Sequence, residues 1–169
     1  MTSAPDIIWG GVLILLGVSL EWSYYKGLDV FIEISKMLDP AKYRIVLVGV
    51  NDSVRAALPE QIIAIGRTHN KKELAEIYTA ADIFINPTRE DTYPTVNCES
   101  IACGTPVISF STGGCPETLK GGGVITPLNS ALDIVNCIYQ FENNGFSIKT
   151  DLDDYNRQSR FLDYIGLYS

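Results

Sequence analysis

The chain has 169 residues, 46% of them hydrophobic and 20% charged, with a formal net charge of −7. That is enough apolar material for one ordinary globular domain with a sizeable core, and too much for a disordered chain. The acidic balance, with no Lys/Arg-rich run, excludes a nucleic-acid-binding face and a polybasic membrane patch, because neutralising phosphates takes clustered cations; any anionic ligand must be held locally.

In chain order, the first apolar stretch is IIWGGVLILLGVSL, residues 7–20. It is shorter than the ~20 residues a spanning helix needs, holds three glycines and lacks the positive flank of a signal peptide, so it reads as a buried parallel strand over 12–18. Membrane-peripheral behaviour stays open. Further short apolar runs follow at 44–50 (RIVLVGV), 62–66 (IIAIG), 82–87 (DIFINP), 106–110 (PVISF) and 122–126 (GGVIT). Helical patterns alternate with them. Leu28, Phe31 and Ile32 mark a helix after the first strand, Leu74, Ile77, Tyr78 and Ala81 one after the third, and Ala131, Ile134, Val135 and Ile138 one after the last. The alternation predicts βα units: a six-stranded, mostly parallel sheet with helices on both faces. Residues 150–169 carry a further helical pattern.

In such sheets ligands bind at the carboxyl ends of the strands. The loops there read SLEWSYYKG, GRTHN, TREDTYP and STGGCPE. After the fourth strand, a helix beginning near Thr95 aims free N–H groups at the crevice, which suits a phosphate, and places Glu99 in an early turn. A carboxylate accepts two hydrogen bonds from adjacent hydroxyls, so Glu99 suits a ribose diol and Asp91 a sugar; equally, Glu99 can cap a helix and Asp91 be a turn residue. Lys26 stands before a helix starting near Gly27, again at an anion-favouring end, although one lysine is ordinarily just surface. Arg67 precedes a helix start capped by Thr68 or Asn70, with Glu73 forming a capping box from Asn70. Asn129 or Ser130 caps the last helix, and Gly104 ends the one holding Glu99. STGGCPE is too flexible and Pro-punctuated for a dinucleotide fingerprint, and no G-x-G-x-x-G follows any strand.

Cys98, Cys103, Cys115 and Cys137 show no C-x-x-C spacing and His69 is the sole histidine, which suggests neither a zinc site nor a disulfide framework. They read as reduced, mostly buried thiols of a cytoplasmic protein.

The ordered segments LLGVSLEWSYYKGLDVFIEISKML, IVLVGV, IAIGRTHNKKELAEIYTAADIFINPTRED and NCESIACGTPVISFSTGGCPE resemble the carboxyl-terminal, donor-binding domain of retaining GT-B glycosyltransferases of the group 1 type, which includes bacterial capsule and lipopolysaccharide transferases. The resemblance implies a Rossmann-like nucleotide-sugar-binding domain over 12–149, between a lead-in at 1–11 and a terminal helix at 150–169. It implies transfer of a hexose from a nucleoside-diphosphate sugar to a glycan or lipid-linked acceptor, with no cofactor or metal. Such enzymes react substrates in a cleft against an amino-terminal acceptor-binding domain, which this chain does not supply, so the chain is expected to be nearly inactive alone and the full enzyme to work in the cytoplasm or at the inner membrane face. By register, Glu99 is the ribose-binding acid, Asp91 the acid at the donor sugar with Glu90 as its rival, and Lys26 the diphosphate ligand. Arg67 and Thr68 then lie against the base, while Tyr93 and the amides of Thr95 and Val96 face the diphosphate or sugar. Many members carry a basic residue where this chain has Leu20, leaving Arg67 and Arg89 as candidates to supply that charge. A GT-B sugar-nucleotide epimerase fragment and a non-catalytic nucleotide- or partner-binding module are the rival readings.

Overall fold

The computed structural model describes residues 11–119 and 121–144; the lead-in apart from Gly11, and the terminal helix expected over 150–169, lie outside them. Six strands form one parallel sheet: β1 (Leu13–Val18), β2 (Tyr43–Val48), β3 (Ile62–Ile65), β4 (Ile83–Asn86), β5 (Val107–Phe110) and β6 (Gly123–Thr126), in the order β3-β2-β1-β4-β5-β6. Each expected strand is present, with ends within two residues of the expectation; β2 begins one residue earlier than expected and the others are trimmed by one residue at one or both ends. The apolar stretch over 12–18 therefore supplies a central strand, paired with β2 from Leu13↔Tyr43 to Val18↔Val48 and with β4 at Leu15↔Ile83.

The helices are α1 (Leu28–Met37), α2 (Asp52–Ala57), α3 (Lys71–Ala80), α4 (Thr95–Ala102), α5 (Cys115–Leu119) and α6 (Ala131–Asn144). Side chains alternate across a strand, and both faces here are covered, so the strands read as continuous apolar runs rather than alternating ones. Leu15, Ile45, Leu47, Ile83, Ile85, Ile108 and Phe110 pack against α1 and α6 through Phe31, Ile34, Ile134 and Ile138. Leu16, Val48, Phe84 and Val107 face the other way, onto Ala75 and Tyr78 of α3, Cys103 and Leu119. Among the described residues no helix is long and apolar enough to cross a membrane.

Two helices were not anticipated. The six-residue α2 has no buried residue, so no apolar stripe announces it; its sign is Asn51, whose side chain accepts from the N–H of Val54 at 2.8 Å. The segment read as a flexible loop, STGGCPE, instead winds into α5, with Cys115, Thr118 and Leu119 buried. Burial of those three side chains supplies the order that the Gly and Pro content argues against.

Candidate functional site

Strand order runs leftward from β1 to β3 and rightward from β4 to β6, so the switch point lies between β1 and β4. There the connections leave in opposite directions and open a crevice at the carboxyl edge. Lys26 comes from the loop after β1, and Asp91 from the loop after β4. They meet as an ion pair, Nζ to Oδ2 at 3.2 Å, with side chains 39% and 20% exposed. Asp91 Oδ1 also accepts the N–H of Tyr93 at 3.2 Å, an Asx turn that fixes its carboxylate. The neighbouring Glu90 is exposed, and its carbonyl accepts the Thr88 hydroxyl.

Glycine permits the close approach of these loops. Gly27 has φ 79°, and a Cβ there would lie 2.3 Å from the carbonyl oxygen of Pro87. On the other side of the crevice, a Cβ on Gly113 (φ 48°) would lie 1.8 Å from the carbonyl oxygen of Asp91, while the Gly114 N–H donates to that oxygen at 3.3 Å. The STGG segment is thus a floor under Asp91.

Helix α4 starts at Thr95 with Pro94 as its N-cap and no side-chain cap. The N–H groups of Thr95 and Val96 are left to solvent or a ligand, since a helix start has no intrahelical acceptors for them, whereas the Asn97 N–H donates to the Pro94 carbonyl at 3.1 Å. Glu99 is the fifth residue of α4, at the start of its second turn, with the helix beginning at Thr95 as expected. Its Oε2 accepts the Tyr78 hydroxyl at 3.0 Å, and Tyr78 is fully buried. The helix is anchored beneath by a buried chain that sequence inspection missed: Asn86 Nδ2 donates to Asn97 Oδ1 at 2.9 Å and Asn97 Nδ2 to Thr118 Oγ1 at 3.0 Å. Asn and Thr at strand ends and helix starts are too common for such a chain to be seen in sequence.

Arg67 and Thr68 do not join this cluster. Arg67 is exposed at the end of β3 and lines an open groove of about 350 Å³ with Leu20, Glu21, Gly49, Val50 and Asn51. It makes no ion pair among the described residues and is available as a cation. Arg89 is not: its guanidinium is bound to Asp29 and to neighbouring loops, so it does not replace the basic residue missing at Leu20, which is itself 82% exposed. Asn70, not Thr68, caps α3, accepting the Glu73 N–H at 2.8 Å, while the Glu73 carboxylate returns to the His69 N–H at 2.7 Å. Ser130, not Asn129, caps α6.

All four cysteines are free thiols. Burial pushes Cys103 up to about 12 and raises Cys115 as well, so neither supplies a thiolate near neutral pH. Cys98 Sγ lies 4.0 Å from the Tyr93 hydroxyl at the rim of the crevice, and this hydrogen bond raises the Tyr93 pKa.

Residues 11–144 match the sequence model of the family described as glycosyl transferases, group 1. The chain belongs to this family. Within it, the chain is 32% identical over 87 residues to D-inositol 3-phosphate glycosyltransferase from Streptomyces bingchenggensis, covering 50% of this chain and 17% of that protein. It is 27% identical over 152 residues to an uncharacterized glycosyltransferase from Methanocaldococcus jannaschii, covering 85% and 36%. Among solved structures, this glycosyltransferase domain superposes on sucrose-phosphate synthase from Thermosynechococcus elongatus with a TM-score of 0.71 at 21% identity, covering 93% of this chain and 45% of that one. It also superposes on HepE from Anabaena in complex with UDP-glucose, with a TM-score of 0.70 at 15% identity, covering 96% and 50%. The fold is thus that of one Rossmann-like half of a GT-B glycosyltransferase, and the chain spans half or less of the length of each of these proteins.

Proposed function

We propose that this group 1 domain is the donor-binding, carboxyl-terminal half of a retaining glycosyltransferase that moves a hexose from a nucleoside-diphosphate sugar to a glycan or lipid-linked acceptor. The observation that carries the reading is the meeting of Lys26 and Asp91 at the β1/β4 switch point, beside the uncapped start of α4. The HepE complex with UDP-glucose, a protein of the same fold, supports a nucleotide sugar as the ligand.

In this reading Lys26 exchanges Asp91 for the donor diphosphate, and the Thr95 and Val96 amides share that charge. Glu99, steadied by Tyr78, takes the ribose hydroxyls; Arg67 and Thr68 bound the base; Tyr93 flanks the sugar. Asp91, already paired with the cation, is preferred over the exposed Glu90 as the group facing the sugar, where it orients the ring and supports its oxocarbenium character. Catalysis is then electrostatic: preorganised amides and an ammonium stabilise the departing diphosphate in a crevice that needs no rearrangement of solvent. The acceptor belongs to a second domain across the crevice, so this chain by itself binds donor and transfers little.

The test is calorimetric titration of the chain with UDP, GDP, ADP and CDP and their hexose conjugates. Preferential saturable binding of one nucleoside diphosphate, abolished by Glu99→Ala, is expected. Absence of binding to all of them, or binding indifferent to Glu99→Ala, refutes the assignment of the site; rapid sugar transfer by this polypeptide alone refutes the half-site reading.

A further inference from the structure

Arg89 lies two residues from Asp91, and its side chain is only 11% exposed. Its Nη1 and Nη2 form a fork on the Asp29 carboxylate at 2.7 and 2.9 Å, at the start of α1. The same Nη1 donates to the Tyr24 carbonyl at 2.6 Å, Nε donates to Asn129 Oδ1 at 2.5 Å, and the guanidinium stacks on the Tyr24 ring at 4.0 Å. The main chain adds to this: the Arg89 N–H donates to the Tyr25 carbonyl at 2.8 Å, and the Thr112 hydroxyl donates to the Arg89 carbonyl at 3.1 Å. One residue thereby ties together the loops that follow β1, β4, β5 and β6. Asn129 itself sits at φ 63°, an unusual backbone for a residue with a side chain, held where its amide oxygen meets Arg89.

Four directional bonds from one planar cation, backed by a ring, fix the segment 24–29 against 89–91 far more tightly than a lysine's single-point contact would. That segment carries Lys26. We infer that Arg89 is a positioning residue of the donor site: its fork on Asp29 and its bonds to Tyr24 and Asn129 hold Lys26 at the place where it meets Asp91 and, on binding, the donor diphosphate. The second part of this inference rests on the donor-site reading above; the first does not.

The experiment uses the full 169-residue chain with Arg89→Ala and, as the variant that keeps charge and stem and so folds, Arg89→Lys. Amide hydrogen exchange comes first and needs no ligand. The N–H groups of Lys26 and Gly27, bonded to the Ser23 and Tyr24 carbonyls, are expected to lose protection in both variants while those of α3 do not. Unchanged protection at 26–27 overturns the inference whatever the chain binds. Titration with the nucleoside diphosphate that the unmodified chain prefers, and with the matching nucleoside, comes second. A misplacement of about an ångström at a charged contact is costly, so diphosphate affinity is expected to fall about tenfold in Arg89→Ala and severalfold in Arg89→Lys, with nucleoside affinity unchanged. Diphosphate affinity within twofold of the unmodified chain, or an equal loss for the nucleoside, overturns Arg89's role in the site. Failure of the unmodified chain to bind any diphosphate refutes the donor-site reading instead, and leaves the exchange result to decide on the clamp.

Discussion

The helices that follow β2 and β3 begin differently from those that follow β1 and β4. Asn51 seals α2 and Asn70 seals α3, each accepting a first-turn N–H at 2.8 Å, and Glu73 closes the second helix further by reaching back to His69. By contrast neither α1, which follows Gly27, nor α4, which follows Pro94, has a side-chain cap. Backbone carbonyls serve α1, the Leu28 N–H donating to the Ser23 carbonyl at 3.2 Å and the Val30 N–H to the Gly27 carbonyl at 3.0 Å, so that α4 is the open start. An orphan N–H at a helix start is ordinarily satisfied by a local side chain. This protein provides that where the sheet continues in one direction and withholds it at the two helices that flank the switch point. An open helix start beside a cation is unfavourable for the fold alone and favourable for an anion, so the contrast separates scaffold from candidate site within one edge of one sheet.

The contrast can be broken most severely at Gly27→Val, which puts a β-branched side chain at φ 79° and against the Pro87 carbonyl. A loss of about 4 kcal/mol or more is expected, read as a large drop in the urea midpoint, because neither loop can retreat without unpairing Lys26 from Asp91. Next in size is Glu99→Ala at the open helix. Loss of a charged acceptor costs about 1.5–3 kcal/mol of ligand binding, so nucleoside diphosphate affinity should fall by one to two orders of magnitude, accompanied by some loss of stability because the buried Tyr78 hydroxyl loses its acceptor. The sealed helix should answer in the opposite way. Asn70→Ala is expected to cost about 1 kcal/mol of stability and nothing in nucleotide affinity, and an equal effect of the two substitutions on binding would erase the distinction. The smallest effect concerns the far end of α4, where Cys103 is the buried C-cap. Its folded pKa is raised by burial from 9.0 to about 12, so the unfolded chain ionises first. The Cys103 contribution to stability is therefore full below pH 9 and declines as pH rises toward 12; denaturant midpoints at pH 8 and 9.5 should show the onset, and Cys103→Ala should make it shallower, the raised Cys115 and Cys137 thiols supplying the remainder.

The strands were readable because burial on both faces demands unbroken apolar runs, and no other use of VLILLGV or DIFINP suits a chain with so many polar turns. Asn70 was readable because a cap and its Glu lie within one turn of each other. The same cannot be said of Asn97, whose partners Asn86 and Thr118 are 11 and 21 residues away, or of Tyr78, 21 residues from Glu99. Arg89 illustrates the limit most clearly: as a cation two residues from Asp91 it invited a ligand role, and only the position of Asp29, 60 residues earlier, shows that its charge is already spent.

By itself the sequence determined the alternation of strand and helix, the two-sided burial of the sheet, and the local chemistry of caps and turns, because each of these depends on residues within one or two turns of one another. The tertiary structure alone decided which acid stands beside Lys26, which helix start stays open, and which arginine is free. Those outcomes depend on strand order, and strand order is set by the packing of distant segments whose spacing along the chain carries no periodic signal.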